Sequence, residues 1–310
     1  NGRLSAMRLA FPLFLLATLA ACAAPTPQPD PFAAIARAVD PSRKGPVTRV
    51  YMSDIDTPAY HHPANPRFFA LVIGIEKYQS LPDAQFAERD AAAVREHLLA
   101  LGFPERNILL LTGKQAGKAA IKKYLESWLP MNVPEGARLF FYFSGHGAPA
   151  AESGQAYIVP YDGDPEFLDN TAYSTKALYE KLESLKAREI IVAMDACFSG
   201  AGGRSVLAKG TRPLVSTTNA KPADGTKLVV LTASGPDEIT GSDQSQGHGF
   251  FTYYLLKAIN DRKGRLTVRE VHDFVQPQVA DAARRQNRDQ TTQLFPQESE
   301  KTGIRFDYLK

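Results

Sequence analysis

The sequence is poor in cysteine and has no long run of one charge. Of its 310 residues only Cys22 and Cys197 are cysteines, so at most one disulfide is available, and no His/Cys cluster could hold zinc. The 36 basic and 33 acidic residues nearly balance, and no Lys/Arg run marks a nucleic-acid surface. No Gly-x-Ser-x-Gly turn follows a predicted strand, which excludes an α/β-hydrolase. We therefore expect a globular protein without a nucleic-acid partner.

The N-terminal segment has the layout of a secretory signal. Met7 and Arg8 are followed by an apolar stretch of about a dozen residues, which is too short for a membrane-spanning helix. The ending Leu19-Ala-Ala-Cys22 resembles the bacterial lipobox, in which the cysteine is diacylated and becomes the new N-terminus. We predict a signal peptide over residues 1–22 and lipidation of Cys22. The protein would then lie on the periplasmic face of the envelope, and Ala23 favours the outer membrane.

The rest of the chain divides into a tether and one α/β domain. Residues 23–66 form a Pro-rich tether and entry segment that cannot bury a core. From residue 67 to 300, continuous apolar strands alternate with amphipathic helices, which predicts a mostly parallel sheet with helices on both faces. A Gly-rich connector separates a larger front part, residues 67–212, from a smaller back part, residues 226–300.

Two of the predicted strands end in a reactive side chain among small residues. One runs from Arg138 to His146-Gly147, and the other runs from Ile190 to Cys197. Parallel strands bring their carboxyl ends to one edge of a sheet, where ligands bind. His146 could act as the base for a Cys197 nucleophile, and the backbone N–H groups of Gly147 and Cys197 could bind an oxyanion. The spacing therefore predicts a catalytic His/Cys dyad.

The segments Tyr142-Phe-Ser-Gly-His-Gly147 and Asp195-Ala-Cys-Phe-Ser-Gly200 resemble the caspase-like cysteine peptidases, specifically the bacterial caspase homologues and metacaspases. The likeness covers about residues 68–292 and includes the segment Gly247-His-Gly-Phe-Phe-Thr-Tyr-Tyr254. It implies a caspase–haemoglobinase fold, a three-layer sandwich, with His146 and Cys197 as the dyad. It also implies hydrolysis of a peptide bond through a thioester. A scaffold or sensor of the same fold that binds peptides without turnover is the alternative.

The resemblance also suggests which residue precedes the cut. Metacaspases select Arg or Lys with an acidic pocket, and the matching positions here are Asp90, Ser144, Asp162 and Asp195. Gathered carboxylates complement a cationic side chain. Caspases select Asp with basic residues, and Arg89, beside Asp90, keeps that alternative open. We predict cleavage after Arg or Lys.

Two further features of the sequence concern self-cleavage and calcium binding. Within the connector, the basic residues Arg204, Lys209 and Arg212 would suit self-cleavage by an Arg/Lys peptidase. Calcium is used by several metacaspases, but the residues around Asp162, Asp164 and Asp169 lack the ligand pattern of an EF-hand. We expect no metal or cofactor, with calcium left open, and as partners a peptide or protein substrate and the membrane.

Overall fold

The computed structural model describes residues 51–150, 155–199, 204–206, 222, 227–297 and 300–307. The predicted signal peptide, Cys22 and the tether up to residue 50 lie outside the described residues, as do Lys209 and Arg212 of the connector. Within the described ranges, no helix is both long and apolar enough to span a bilayer.

Strands and helices alternate along the chain from residue 68 onwards, as the apolar pattern predicts. In chain order the strands are β1 (Phe68–Gly74), β2 (Ile108–Thr112), β3 (Arg138–Ser144), β4 (Gly147–Pro149), β5 (Ala156–Ile158), β6 (Tyr173–Ser174), β7 (Glu189–Asp195), β8 (Leu228–Thr232), β9 (Ser242–Asp243), β10 (His248–Gly249) and β11 (Gln293–Phe295). The helices are α1 (Ala87–Ala100), α2 (Lys118–Lys123), α3 (Leu129–Asn132), α4 (Leu168–Thr171), α5 (Thr175–Ser184), α6 (Phe250–Asp261) and α7 (Val268–Arg284).

The central sheet has the strand order β11-β8-β7-β3-β1-β2. All neighbouring pairs are parallel except the edge pair, in which β11 runs antiparallel to β8. The predicted α/β class with a mostly parallel sheet is therefore confirmed. The predicted front and back parts share this sheet, because β7 lies before the connector and β8 after it.

The core lies on both faces of the sheet, which explains the continuous apolar strands. In β1, Leu71 and Ile73 pack on one face while Ala70 and Val72 pack on the other. Successive strand residues point to opposite faces, so a strand covered on both sides must be apolar throughout. Three helices, α1, α6 and α7, contribute to the core on the face of Val72, whereas α2 and α5 cover the opposite face.

Several elements are too short or too irregular to be placed by periodicity. The helical stretch from Lys118 to Asn132 is divided into α2, a wider π-type turn over Tyr124–Trp128, and α3. The two- and three-residue strands β4, β6, β9, β10 and β11 are too short to produce a periodic signal in sequence. Two of these short strands, β4 and β10, border the site described next.

Candidate active site

The His146 and Cys197 segments leave the same edge of the sheet side by side. In the β3–β7 pair Ser144 lies opposite Asp195, so His146 and Cys197 each follow two residues beyond a matched pair. Gly147 lies so close to the backbone of Cys197 that an added Cβ would overlap the Cys197 carbonyl oxygen. A glycine is therefore required at position 147 if the two segments are to approach each other this closely.

The ring of His146 is held in one orientation by Tyr78 and Pro82. The backbone N–H of His146 donates to Tyr78 Oη at 2.7 Å, and the two rings pack with their centroids 4.7 Å apart. His146 Nε2 lies 2.8 Å from the carbonyl oxygen of Pro82. A carbonyl can only accept, so Nε2 carries the proton and Nδ1 is the basic nitrogen. Nδ1 is buried and has no hydrogen-bond partner among the described residues, and burial lowers the pKa of His146.

The thiol of Cys197 is fully buried and forms its hydrogen bonds with residues other than His146. Its Sγ donates to the carbonyl oxygen of Glu238 at 2.7 Å and lies 3.0 Å from Ser199 Oγ. Within the described part of the chain, no hydrogen bond joins Sγ to His146. In this arrangement the thiol is directed at the Glu238 carbonyl and not at His146.

The candidate oxyanion donor is already directed at a carbonyl group. The backbone N–H of Gly147 donates to the carbonyl oxygen of Arg204 at 2.8 Å. Arg204 therefore lies against Gly147, and His146 and Cys197 are both buried, with 1% and 0% of their surface exposed.

Three of the four predicted pocket residues surround the guanidinium of Arg204. Asp90 Oδ2 lies 2.9 Å from Nη2, and Asp195 Oδ1 lies 2.9 Å from Nη1. Nη1 also donates to Ser144 Oγ at 2.8 Å. All four residues are buried. We call Asp90, Ser144 and Asp195 the acidic pocket; it holds an arginine side chain through two ion pairs and a hydrogen bond.

A second layer behind the acidic pocket comes from β10 and the start of α6. His248 Nδ1 lies 2.9 Å from Asp90 Oδ1, and Thr252 Oγ1 donates to Asp195 Oδ2 at 2.7 Å. At Gly249 an added Cβ would overlap Asp195 Oδ2, so only glycine leaves the carboxylate in place. The family resemblance includes this segment, Gly247 to Tyr254, but the sequence alone assigns it no role.

The pKa values of the two carboxylates in the acidic pocket are shifted in opposite directions. Burial works to raise the pKa of Asp90, but Arg204 and His248 more than offset it and hold that pKa below its usual range. Burial is the main reason that the pKa of Asp195 is raised, and the neighbouring Asp90 raises it further. Burial also opposes the charge of Arg204, yet the two carboxylates raise the pKa of its guanidinium, which stays a cation.

The structure does not bring Asp162 to the acidic pocket. Its side chain is exposed and Oδ1 accepts the backbone N–H of Lys118 at 2.8 Å, at the first residue of α2. Arg89, the residue that left an Asp-selective pocket open, instead contacts Asp56 and the carbonyl oxygen of Tyr51. Asp162 therefore stabilises a helix start, as side-chain oxygens commonly do.

The acidic side chains just before residue 170 form hydrogen bonds with nearby residues of the same segment. Asp164 accepts the backbone N–H of Glu166, and Asp169 accepts the hydroxyl of Tyr157. In the ranges that the structure describes, no three His, Cys, Asp or Glu side chains are grouped so that they could hold a metal ion.

Arg204 also lines a cleft. Its volume is about 310 Å³, and it is lined mainly by polar side chains, among them Asp83, Gln85, Gln286 and Arg288. The cleft is joined to the acidic pocket through Arg204, which lines the cleft and lies in the pocket.

Comparison by sequence matches a family model and a curated relative. Residues 67–302 match the family model of the caspase domain, peptidase C14. A curated relative, a probable protease from a Desulfuromonadales bacterium, is 32% identical over 148 residues, which are 42% of this chain and 18% of that protein. The match thus spans about a fifth of the length of this relative.

Two solved structures share the fold. A protein from Geobacter sulfurreducens superposes with a TM-score of 0.58 at 17% identity, over 78% of this chain and 99% of that one. Caspase-1 from Spodoptera frugiperda superposes with a TM-score of 0.51 at 14% identity, over 79% of this chain and 93% of that one. The predicted caspase-like fold is confirmed by these likenesses.

Proposed function

The chain belongs to the caspase-domain family of peptidases, and on that premise we propose that it is a cysteine endopeptidase that cleaves after Arg or Lys. One observation carries the specificity: the acidic pocket holds the guanidinium of Arg204 between Asp90 and Asp195, with 2.9 Å separations on both sides. An arginine side chain of a substrate would meet the same two carboxylates. An aspartate side chain would be repelled by them.

In the proposed reaction His146 and Cys197 divide the proton transfers. Nδ1 of His146 takes the thiol proton, and Sγ attacks the carbonyl carbon of the scissile bond. The Gly147 N–H donates to the oxygen as it gains negative charge. His146 then gives the proton to the leaving amine, and water hydrolyses the thioester with His146 again as base. Nδ1 supports this role because it is buried and makes no hydrogen bond with the described residues.

Peptide hydrolysis with matched variants tests the proposal. Fluorogenic peptides that differ only in ending in Arg, Lys or Asp are offered to the full chain, with and without calcium. We expect turnover after Arg and Lys but not after Asp, and loss of turnover in Cys197→Ala and His146→Ala. Turnover only after Asp would overturn the acidic-pocket assignment. Turnover that persists in Cys197→Ala would overturn the dyad.

The scaffold alternative is separated by a covalent probe. A peptide chloromethyl ketone ending in Arg should alkylate Cys197, which mass spectrometry of the digested protein detects. Binding of Arg peptides with neither alkylation nor turnover would assign the chain to the scaffold or sensor class.

We also propose that the peptidase is anchored to the outer membrane through a lipid on Cys22. The lipobox-like segment Leu19-Ala-Ala-Cys22 and the Pro-rich tether after it support this placement. Mass spectrometry of the mature N-terminus should find a diacylated cysteine, and Cys22→Ser should release the protein from the membrane fraction. An unmodified N-terminus in membrane-free extract would overturn the anchor.

A further inference from the structure

A segment that precedes the family domain packs against the elements behind the acidic pocket. The match to the caspase-domain model covers residues 67–302, whereas the structure also describes residues 51–66. We call residues 51–56 the N-terminal arm. Within it Ile55 is fully buried, and the Ile55 carbonyl oxygen lies 2.9 Å from His97 Nε2 on α1. The N-terminal arm is therefore seated at one place on the domain, although it lies outside the family match.

The N-terminal arm contacts the residues that lead into His248. Ser53 Oγ donates to Gln246 Oε1 at 2.9 Å. At Gly247, where φ is +69°, an added Cβ would overlap the side chain of Tyr51. Glycine adopts this positive φ without a steric penalty and leaves room for the tyrosine. The N-terminal arm and the turn before His248 are thus packed directly against each other.

Asp56 joins the N-terminal arm to the ring of His248. Asp56 Oδ1 lies 3.0 Å from His248 Nε2. The other oxygen, Oδ2, accepts hydrogen bonds from Arg89 and from the backbone N–H of Ser53. Arg89 Nε lies 3.3 Å from the same ring nitrogen of His248. Nε2 of His248 is therefore held by two charged side chains, and neither of them belongs to the acidic pocket.

The opposite nitrogen of the His248 ring holds the Asp90 carboxylate. His248 Nδ1 lies 2.9 Å from Asp90 Oδ1, and because an ionised carboxylate only accepts, Nδ1 carries a proton. Oδ1 also receives the backbone N–H of Gly249, while Oδ2 faces Arg204 Nη2 at 2.9 Å. The terminal torsion of an aspartate has broad minima, so contacts decide how the carboxylate is turned. His248 thus leaves Oδ2 for a guanidinium.

We propose that Asp56 and His248 are positioning residues of the acidic pocket, and that the N-terminal arm sets the preference for Arg over Lys through the contacts Asp56–His248–Asp90. The inference rests on the proposed function and adds to it a segment outside the family match that determines selectivity. Both residues act through the Asp90 carboxylate rather than by touching the substrate.

An arginine depends on the orientation of Asp90 more than a lysine does. The guanidinium of Arg204 is gripped on two nitrogens, with Asp90 at 2.9 Å from Nη2 and Asp195 at 2.9 Å from Nη1. A planar guanidinium presents its N–H groups in fixed directions, so each carboxylate has to be turned correctly. An ammonium is a compact charge whose donors rotate freely. A turned Asp90 carboxylate therefore weakens the binding of Arg more than the binding of Lys.

The experiment measures kcat/KM of the full chain for two fluorogenic peptides that differ only in ending in Arg or in Lys. The ratio of the two values does not depend on how much of the protein is folded, so a general loss of stability does not change it. Asp56→Ala should lower the Arg/Lys ratio by about 3–10-fold, the range expected for one misaligned hydrogen bond, mainly through a higher KM for the Arg peptide.

A second variant tests whether Asp56 acts through His248. In His248→Asn the shorter side chain can still donate to Asp90 but cannot reach Asp56, so the ratio should fall as in Asp56→Ala. Adding Asp56→Ala to His248→Asn should lower it no further, because the two substitutions break the same connection. The Asp56 side chain is 32% exposed, so the single variant decides the question even if the buried His248 does not tolerate replacement.

A matched control lies two residues away in the N-terminal arm. Asp54 forms an ion pair with Lys257 at the surface, and Asp54→Ala should leave the Arg/Lys ratio unchanged. An unchanged ratio in Asp56→Ala, an equal fall in Asp54→Ala, or a further fall in the double variant would overturn the inference and leave the proposed function standing. Absence of hydrolysis of both peptides by the wild-type chain would overturn the proposed function, and the inference with it.

Discussion

Asp90 and Asp195 both form an ion pair with Arg204. Replacing each of them with asparagine should nevertheless change the free energy of unfolding by different amounts. Asp90 accepts hydrogen bonds from Ser144, Arg204, His248 and the Gly249 N–H, and its pKa is lowered in the folded protein. Such a group stabilises the fold at every pH above its unfolded pKa of about 3.9. In Asp90→Asn the new side-chain amide would oppose some of these donors with its own N–H groups.

The magnitude follows from breaking a buried ion pair on one side. Removal of one partner from such a pair costs about 3–5 kcal/mol. For a domain of this size each kcal/mol shifts Tm by roughly 2–4 °C, so Asp90→Asn should lower Tm by about 6–20 °C at pH 7. As the pH falls below about 4, Asp90 itself becomes protonated in the unfolded and then in the folded protein. The difference from wild type should therefore narrow.

The pKa of Asp195 is shifted in the opposite direction, so its contribution to stability has the opposite pH dependence. Its pKa is raised in the folded protein, so its contribution to stability is complete below about pH 4 and is lost as the pH rises through the folded pKa. Asp195→Asn removes the carboxyl group whose ionisation costs stability at neutral pH. The same substitution also removes one ion pair of Arg204. We expect its free energy of unfolding at pH 7 to lie within about 1 kcal/mol of the parent. Relative to the parent, its Tm should rise with pH.

Thermal unfolding followed by circular dichroism between pH 3 and pH 8 measures both effects. The variants are made in a Cys197→Ala background, so that self-cleavage cannot change the chain during the measurement. Equal losses of Tm for Asp90→Asn and Asp195→Asn, or the same pH dependence for both, would refute the electrostatic account of the acidic pocket.

Three other substitutions test single contacts. Gly147→Ala should lower kcat by about 10²–10³-fold, because its Cβ would overlap the Cys197 carbonyl and displace the oxyanion donor. Tyr78→Phe should lower kcat and reduce stability by about 1–3 kcal/mol, because the buried N–H of His146 loses its acceptor. Asp162→Ala should leave the preference for Arg unchanged and cost about 0.5–2 kcal/mol of stability, because it removes only a helix cap.

Each of these has a control or a contrary result. Gly303→Ala adds a methyl group with nothing within 4 Å and should leave both kcat and Tm unchanged. Normal kcat in Gly147→Ala would contradict the assigned oxyanion donor. For Tyr78→Phe, equal turnover at equal stability would show that the hydroxyl does not position His146. For Asp162→Ala, a loss of Arg selectivity would return this carboxylate to the pocket.

Residues that end long strands or begin long helices could be placed from the sequence. The seven-residue strands β3 and β7 each contain a run of five apolar residues. The shared edge for His146 and Cys197 therefore follows from the pattern of a buried parallel sheet. Asp90 and Asp195 were grouped through the family resemblance, and the structure brings them to one guanidinium.

Residues on short or irregular segments could not be placed in this way. His248 sits on a two-residue strand, which has no periodicity to detect. The position of Arg204 depends on the path of a Gly-rich connector, and glycine restricts the backbone too little for sequence to define that path. Asp162 also lies at a matched family position, but its carboxylate accepts a hydrogen bond at the start of a helix, and no sequence pattern signals this contact.

The parallel pairing of β7 with β8 would hold the two parts of the domain together if the connector between them were cut. The two strands are hydrogen-bonded from Ile190–Leu228 to Met194–Thr232, and their side chains share the core on both faces of the sheet. The pieces on either side of the cut would thus be held together by the interior of the protein rather than by a peptide bond. Such a chain would run as two bands on a denaturing gel but elute from a sizing column as one particle. Unfolding of the cut protein would be irreversible, because the two separated parts would have to associate again from solution before they could refold.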